Sequence, residues 1–68
     1  SYYVDWPLYL YHKSKDNTTK AQQYLTDAYN HISEDVRNEY LENDHRLENL
    51  HQYYYIHEII ETYNQNIR

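Results

Sequence analysis

Apolar and polar positions follow a helical period over most of this chain. Between Thr19 and Leu41, Ala21, Leu25, Ala28 and Ile32 recur at spacings of four, three and four. That places them on one face of an α-helix and fits no strand. Ser33 interrupts the stripe. Its hydroxyl suits an N-cap, and Glu34 and Asp35 then fall in the first turn of a new helix, where the macrodipole favours acids. Val36 and Tyr40 continue on the inner face of that helix. Further on, Leu47, Leu50 and Tyr54 form one stripe. Tyr53, Ile56, Ile60, Tyr63 and Ile67 form a second, at spacings of three, four, three and four, which resembles a heptad seam just under two heptads long.

These patterns predict an all-α fold, a small bundle of three to four helices with a long C-terminal helix, in one domain spanning 1–68. Residues 1–6, SYYVDW, read as an irregular aromatic segment docked on this fold or on a neighbour. Pro7 suits a helix start, so 7–15 is expected as a short helix. LYLY within it also alternates as a strand would. Asp16, Asn17, Thr18 and Thr19 make the loop. A helix is expected over 19–32, and 34–66 is expected as one long helix or two joined at Asn43. Glu42 and Arg46, four apart, could bridge that joint. The predicted core is Leu25, Ala28, Ile32, Val36, Tyr40, Leu47 and Leu50.

Composition sharpens this picture. The chain has no Gly and one Pro, which leaves little for tight hairpin turns and favours helices. At 68 residues it buries only roughly 60% of its unfolded surface, so its own core is marginal. It has no Cys, hence neither a disulfide nor a thiolate metal site as a staple. A chain of this kind, opening on Ser1, is expected to be a subunit, or a processed or trimmed part of something larger. No apolar run is long enough for a membrane span. Eleven Tyr with no Phe point to rings at rims and interfaces, because tyrosine buries its ring but needs a partner for its hydroxyl.

Charge is uneven. The net −5 comes entirely from residues 32–68, while Lys13, Lys15 and Lys20 balance Asp5, Asp16 and Asp27 in the first half. An acidic half disfavours nucleic acid and anionic membrane and suits basic protein surfaces. A protein partner or a parent complex is therefore expected, with no nucleic acid. The compartment is not legible.

From about Leu8 to Leu41 the chain resembles a J-domain, the DnaJ-type co-chaperone module. Tyr11-His12-Lys13-Ser14-Lys15 stands where the family has Tyr-His-Pro-Asp-Lys. Asp27-Ala28-Tyr29-Asn30-His31-Ile32-Ser33 stands at its Asn-Glu-Ala-Tyr and Ser-Asp-Pro stretch. Arg37 and Tyr40 stand at its Arg and Tyr, with one residue fewer than usual after Ser33. Leu25 matches the apolar residue four before the Ala-Tyr tyrosine. The family's His-Pro-Asp signature, which engages the DnaK-type chaperone, has become His12-Lys13-Ser14. Gln22 replaces the usual Phe, and no first helix is recognisable. The resemblance thus implies a degenerate J-like scaffold, with His12, Lys13 and Ser14 as a degenerate chaperone-contact motif and without the family's ATPase stimulation.

Candidate chemistry is sparse. His57-Glu58-Ile59-Ile60-Glu61 resembles an HExxE zinc motif, with His57 and Glu61 as ligands and Glu58 as base. It lacks the usual closing His, and His45 and His51 share no obvious face with it. Asp35, Glu39, Glu42 and Glu48 read as a solvated face. No Ser/His/Asp set is recognisable, so neither catalysis nor a cofactor or metal site is expected. The three rings Tyr53-Tyr54-Tyr55 cover most sides of a helix, and an interface accounts for all three. The expected function is a non-catalytic protein-interaction or structural subunit, with Tyr53, Ile56, Ile60, Tyr63 and Ile67 as the interface. The alternatives are a J-like co-chaperone and, remotely, a zinc hydrolase.

Overall fold

The computed structural model of the protein describes residues 1–43 and 55–67, with the backbone alone for Ile67. It is a small all-α bundle. Its helices are α1 (Tyr2–Ser14), α2 (Thr18–His31), α3 (Glu34–Glu42) and α4 (Ile56–Ile67). There is no strand among the described residues, so LYLY is helical.

Helix α1 differs most from expectation. Residues 2–6 are helical rather than irregular, and Pro7 lies inside the helix rather than at its start. Val4 and Asp5 donate their backbone N–H groups to the Ser1 carbonyl at 3.0 Å, which closes the first turn. An interior proline removes one helical hydrogen bond and costs about 3 kcal/mol. Burial on the opposite side offsets this. Asp5, Trp6 and Tyr9 all point inward, with the Trp6 and Tyr9 rings stacked at 5.1 Å, while Pro7 is exposed.

The turn from α1 to α2 is short because α1 closes with a Schellman arrangement. Asn17 donates its N–H to the His12 carbonyl at 2.9 Å and Asp16 to that of Lys13 at 3.1 Å. That motif requires a left-handed residue at its centre, usually Gly. This chain has no Gly, and Asp16 takes the position with φ 56°. Asn17 also caps α2, its side chain accepting from the Lys20 N–H at 3.4 Å. The tight turn folds α2 back antiparallel to α1. His12 stacks on Tyr24 at 5.3 Å at one end, and Asp5 meets His31 at the other.

Helices α2 and α3 meet at Ile32-Ser33. Ile32 is extended (ψ 128°), and the Ser33 hydroxyl accepts from the Val36 N–H at 3.3 Å. Helix α3 ends at Asn43, whose backbone and side-chain N–H groups both reach the Glu39 carbonyl. The stretch 34–66 is therefore not one helix. Tyr55 precedes α4 with φ 69°, unusual for a bulky residue, and its ring tilts against Trp6 at 6.5 Å. Arg46, the partner proposed for Glu42, lies outside the described residues.

The core comprises Trp6, Tyr9, Ala21, Leu25, Ala28, Ile32, Tyr40, Ile56, Ile59 and Ile60, with Val36 partly buried against it. Leu25, Ala28, Ile32 and Tyr40 occupy the predicted places; Leu47 and Leu50 lie outside the described residues. Leu25→Ala removes a fully buried side chain and is expected to cost about 2–5 kcal/mol. Urea titration checks this, and an unchanged midpoint would show that Leu25 does not carry the core. Asp16→Gly relieves a left-handed residue that costs roughly 1–2 kcal/mol. It is expected to raise the melting temperature by a few degrees in a domain of this size, readable by calorimetry.

Candidate functional site

Two polar clusters lie between helices. The first joins α3 to α4. Tyr40 is 1% exposed, and its hydroxyl sits 2.7 Å from both His57 Nδ1 and Glu61 Oε1. His57 and Glu61 are four residues apart, one above the other on α4. The phenol has one proton, and it is donated to the Glu61 carboxylate. The hydroxyl therefore accepts from His57, so Nδ1 of that ring carries a proton.

This geometry bears on the HExxE motif. Sequence placed His57 and Glu61 on one helix face, and there they are. Both are directed at a phenol of the same chain. No group of three or more His, Cys, Asp or Glu converges as a metal site among the described residues; His45 and His51 lie outside them. Burial pushes the Tyr40 phenol well above its ordinary value, and the hydrogen bond to Glu61 and the charges of Glu61 and Glu58 push it further. Through these two hydrogen bonds Tyr40 ties α3 to α4.

The second cluster joins α1 to the last turn of α2. Asp5 is 8% exposed, the one buried charged residue among those described. Its Oδ2 accepts from His31 Nδ1 at 2.6 Å, while His31 remains exposed. A histidine in a helix's last turn also complements its dipole. Beside these clusters, Tyr29 of α2 stacks on Tyr63 of α4 at 3.8 Å, and the Arg37 guanidinium lies 4.7 Å from the Tyr29 ring. Ring and guanidinium cannot share one face, so Tyr29 is sandwiched. Arg37 also donates to the Tyr29 carbonyl at 3.2 Å.

The predicted interface stripe needs correction. Ile56 and Ile60 are 1% and 3% exposed within this chain's own core, and Tyr63 is half-buried against Tyr29. Tyr53 and the Ile67 side chain lie outside the described residues. Helix α2 covers the stripe, with Tyr29 on Tyr63, and Trp6 and Tyr9 of α1 join the same core. Ile59, absent from the predicted stripe, is fully buried beside Ile60. Tyr55, one of the three consecutive rings, packs on Trp6; Tyr54 is outside the described residues.

His12, Lys13 and Ser14 form the last turn of α1. The His12 ring lies on Tyr24, Lys13 Nζ is 5.6 Å from the Tyr9 ring, and the Ser14 hydroxyl donates to the Tyr11 carbonyl at 2.6 Å. Each therefore has a partner within the hairpin. Nearby, a cleft of about 230 Å³ opens between the α1–α2 turn and the end of α4, lined by Tyr9, Lys13, Asp16 and Asn66 among others. That is below the usual range of ligand sites, ~300–1,000 Å³.

The outward side of α1 is the unexpected feature. Among the described residues, the large apolar side chains left exposed are Tyr3, Val4, Leu10, Tyr11 and Leu41, and the first four lie on α1. No protein-family model, curated protein or solved structure matches this chain.

Tyr40→Phe keeps the ring and removes the hydroxyl, at an expected cost of roughly 0.5–1.5 kcal/mol at pH 7. The pH dependence is more specific. The folded-state phenol lies above its unfolded value of 10.0, so the folded state holds this proton longer. Its contribution is complete below pH 10.0 and lost as pH rises above it, with a limiting slope of about 1.4 kcal/mol per pH unit. The Phe variant should lose stability less steeply above that pH than the parent. Denaturant titrations on either side of it check this, and parallel curves would show that the Tyr40 proton is not linked to folding.

Proposed function

We propose that this chain is a non-catalytic protein-interaction domain whose contact surface is the outward side of α1. The observation that carries the reading is the distribution of polarity on that helix. Its one acidic residue, Asp5, points inward, while Tyr3, Val4, Leu10 and Tyr11 remain roughly half exposed. A helix apolar on both sides belongs between two surfaces. The chain itself covers one of them. The buried polar groups support the same reading, since Asp5 and Tyr40 each join two helices.

A second reading, a degenerate J-like scaffold, draws on the α1–α2 hairpin with His12, Lys13 and Ser14 near its turn. In that reading the domain retains a hairpin of the J type but lacks the Pro and Asp that engage a DnaK-type chaperone.

Photo-crosslinking tests the first reading. A crosslinkable residue placed at position 10 is expected to give covalent protein adducts, while the same residue at the exposed polar position Gln23 is not. Equal adduct yields at both positions, or none at either, would remove the α1 surface from consideration. Adding the purified chain to a DnaK-type ATPase is expected to leave turnover unchanged. A several-fold rise in turnover would make the J-like reading primary.

A further inference from the structure

We infer that the outward side of α1 pairs with the same surface of a second copy of this chain, antiparallel, about a two-fold axis passing near Pro7. This rests on the reading of α1 as a contact surface and names its occupant.

The pattern on the helix argues for a second copy. Tyr3 and Leu10 are seven residues apart, and so are Val4 and Tyr11. Seven residues are close to two helical turns, so each pair lines one flank of the outward side, with Pro7 between the flanks. An antiparallel two-fold keeps each flank on its own side and reverses its direction. Tyr3 then meets Leu10 of the second copy, and Val4 meets Tyr11 of the second copy. Both contacts set a ring against a smaller aliphatic side chain, which lets the two surfaces interdigitate. A surface that is its own complement is what a two-fold interface requires.

Charge and area agree with this occupant. From Ser1 to His12 the only acidic or basic side chain besides His12 is Asp5, which is buried, and Lys15 lies over the Tyr11 ring at 5.9 Å, at the far end of the surface, so the antiparallel pairing keeps the two lysines at opposite ends. The acids that give the chain its net −5 lie in residues 32–68. A membrane surface fits less well, since interfacial helices carry Lys or Arg along their polar flanks and this one has none before Lys13. Tyr3, Val4, Leu10 and Tyr11 are 48%, 57%, 47% and 55% exposed. With aromatic side chains offering ~150–250 Å² each, the four leave about 400 Å² per copy. Pro7 and the half-buried Leu8 bring the pair to roughly 1,000 Å² in total, at the low end of specific interfaces. An interface of this size fits a weak, reversible dimer.

Sedimentation equilibrium of the whole chain up to about 0.5 mM should show a concentration-dependent dimer. Leu10→Glu should weaken it by at least about tenfold, with the helical circular dichroism signal of the parent. The chain has no Cys, so single-cysteine variants report the register cleanly. Pro7→Cys should oxidise readily to a disulfide-linked dimer. Ser14→Cys, also exposed but about 20 Å from its mate in this arrangement, should not. A chain that stays monomeric throughout, a dimer indifferent to Leu10→Glu, or equal oxidation at both positions would overturn the pairing. A monomer that binds anionic vesicles would also overturn it and assign the surface to lipid. A monomer that still gives adducts from position 10 leaves α1 as a contact surface for another protein; a monomer without adducts ends both readings.

Discussion

A phenol taken out of water without a partner strands a polar group, at roughly 1–3 kcal/mol. Tyr40 is almost fully buried, and His57 and Glu61 supply its partners from the next helix. The seating of α4 on α3 depends on this arrangement. It brings His57 and Glu61 of α4 over Tyr40 of α3, which in turn sets Ile56, Ile59 and Ile60 into the core and Tyr63 onto Tyr29. A phenylalanine at position 40 could bury the same ring but would not distinguish one rotation of α4 from another. A core rich in tyrosine and free of phenylalanine thus gains orientation from its hydroxyls as well as cohesion from its rings.

The parts of the fold legible in the sequence were those set by local chemistry. Ala21, Leu25, Ala28 and Ile32 share a face because of helical geometry alone, and Ser33 caps α3 through its own side chain. The parts that were not legible depend on what covers a face. Tyr53, Ile56, Ile60, Tyr63 and Ile67 were visible as a stripe, but periodicity does not say whether the cover belongs to the same chain. Reading Pro7 as a helix start left residues 2–6 as an irregular docked segment and Trp6 outside the predicted core. Local preference puts proline in a first turn; burial of Trp6 and Tyr9 on one side and solvent at Pro7 on the other make an interior position tolerable here.

The turns show the same division. A chain without Gly must use other residues where φ is positive, and Asp16 and Tyr55 take those positions. Asp16 belongs to a residue class that tolerates the left-handed region, so a turn over DNTT was legible even though its Schellman geometry was not. Tyr55 belongs to no such class. Its conformation costs on the order of 1–3 kcal/mol, and the packing of its ring on Trp6 is the compensation visible in the structure. Such a residue can be identified only after the tertiary contact is known.

The HExxE resemblance shows why a correctly read spacing does not by itself assign a role. Two polar side chains four apart on a helix converge on whatever lies above that face. A metal, a substrate and a buried phenol all satisfy the same pair. The neighbouring helix decides among them, and α3 presents a hydroxyl that needs two partners. With Asp5 likewise engaged by His31, the two buried polar side chains Asp5 and Tyr40 each join two helices. On α1 the carboxylate of Asp5 and the rings of Trp6 and Tyr9 are inside, while the rings of Tyr3 and Tyr11 are outside. In a chain this small, a helix whose one carboxylate faces the core leaves an outward side of apolar and aromatic side chains, and the sequence pattern alone does not say which of its two sides the core takes.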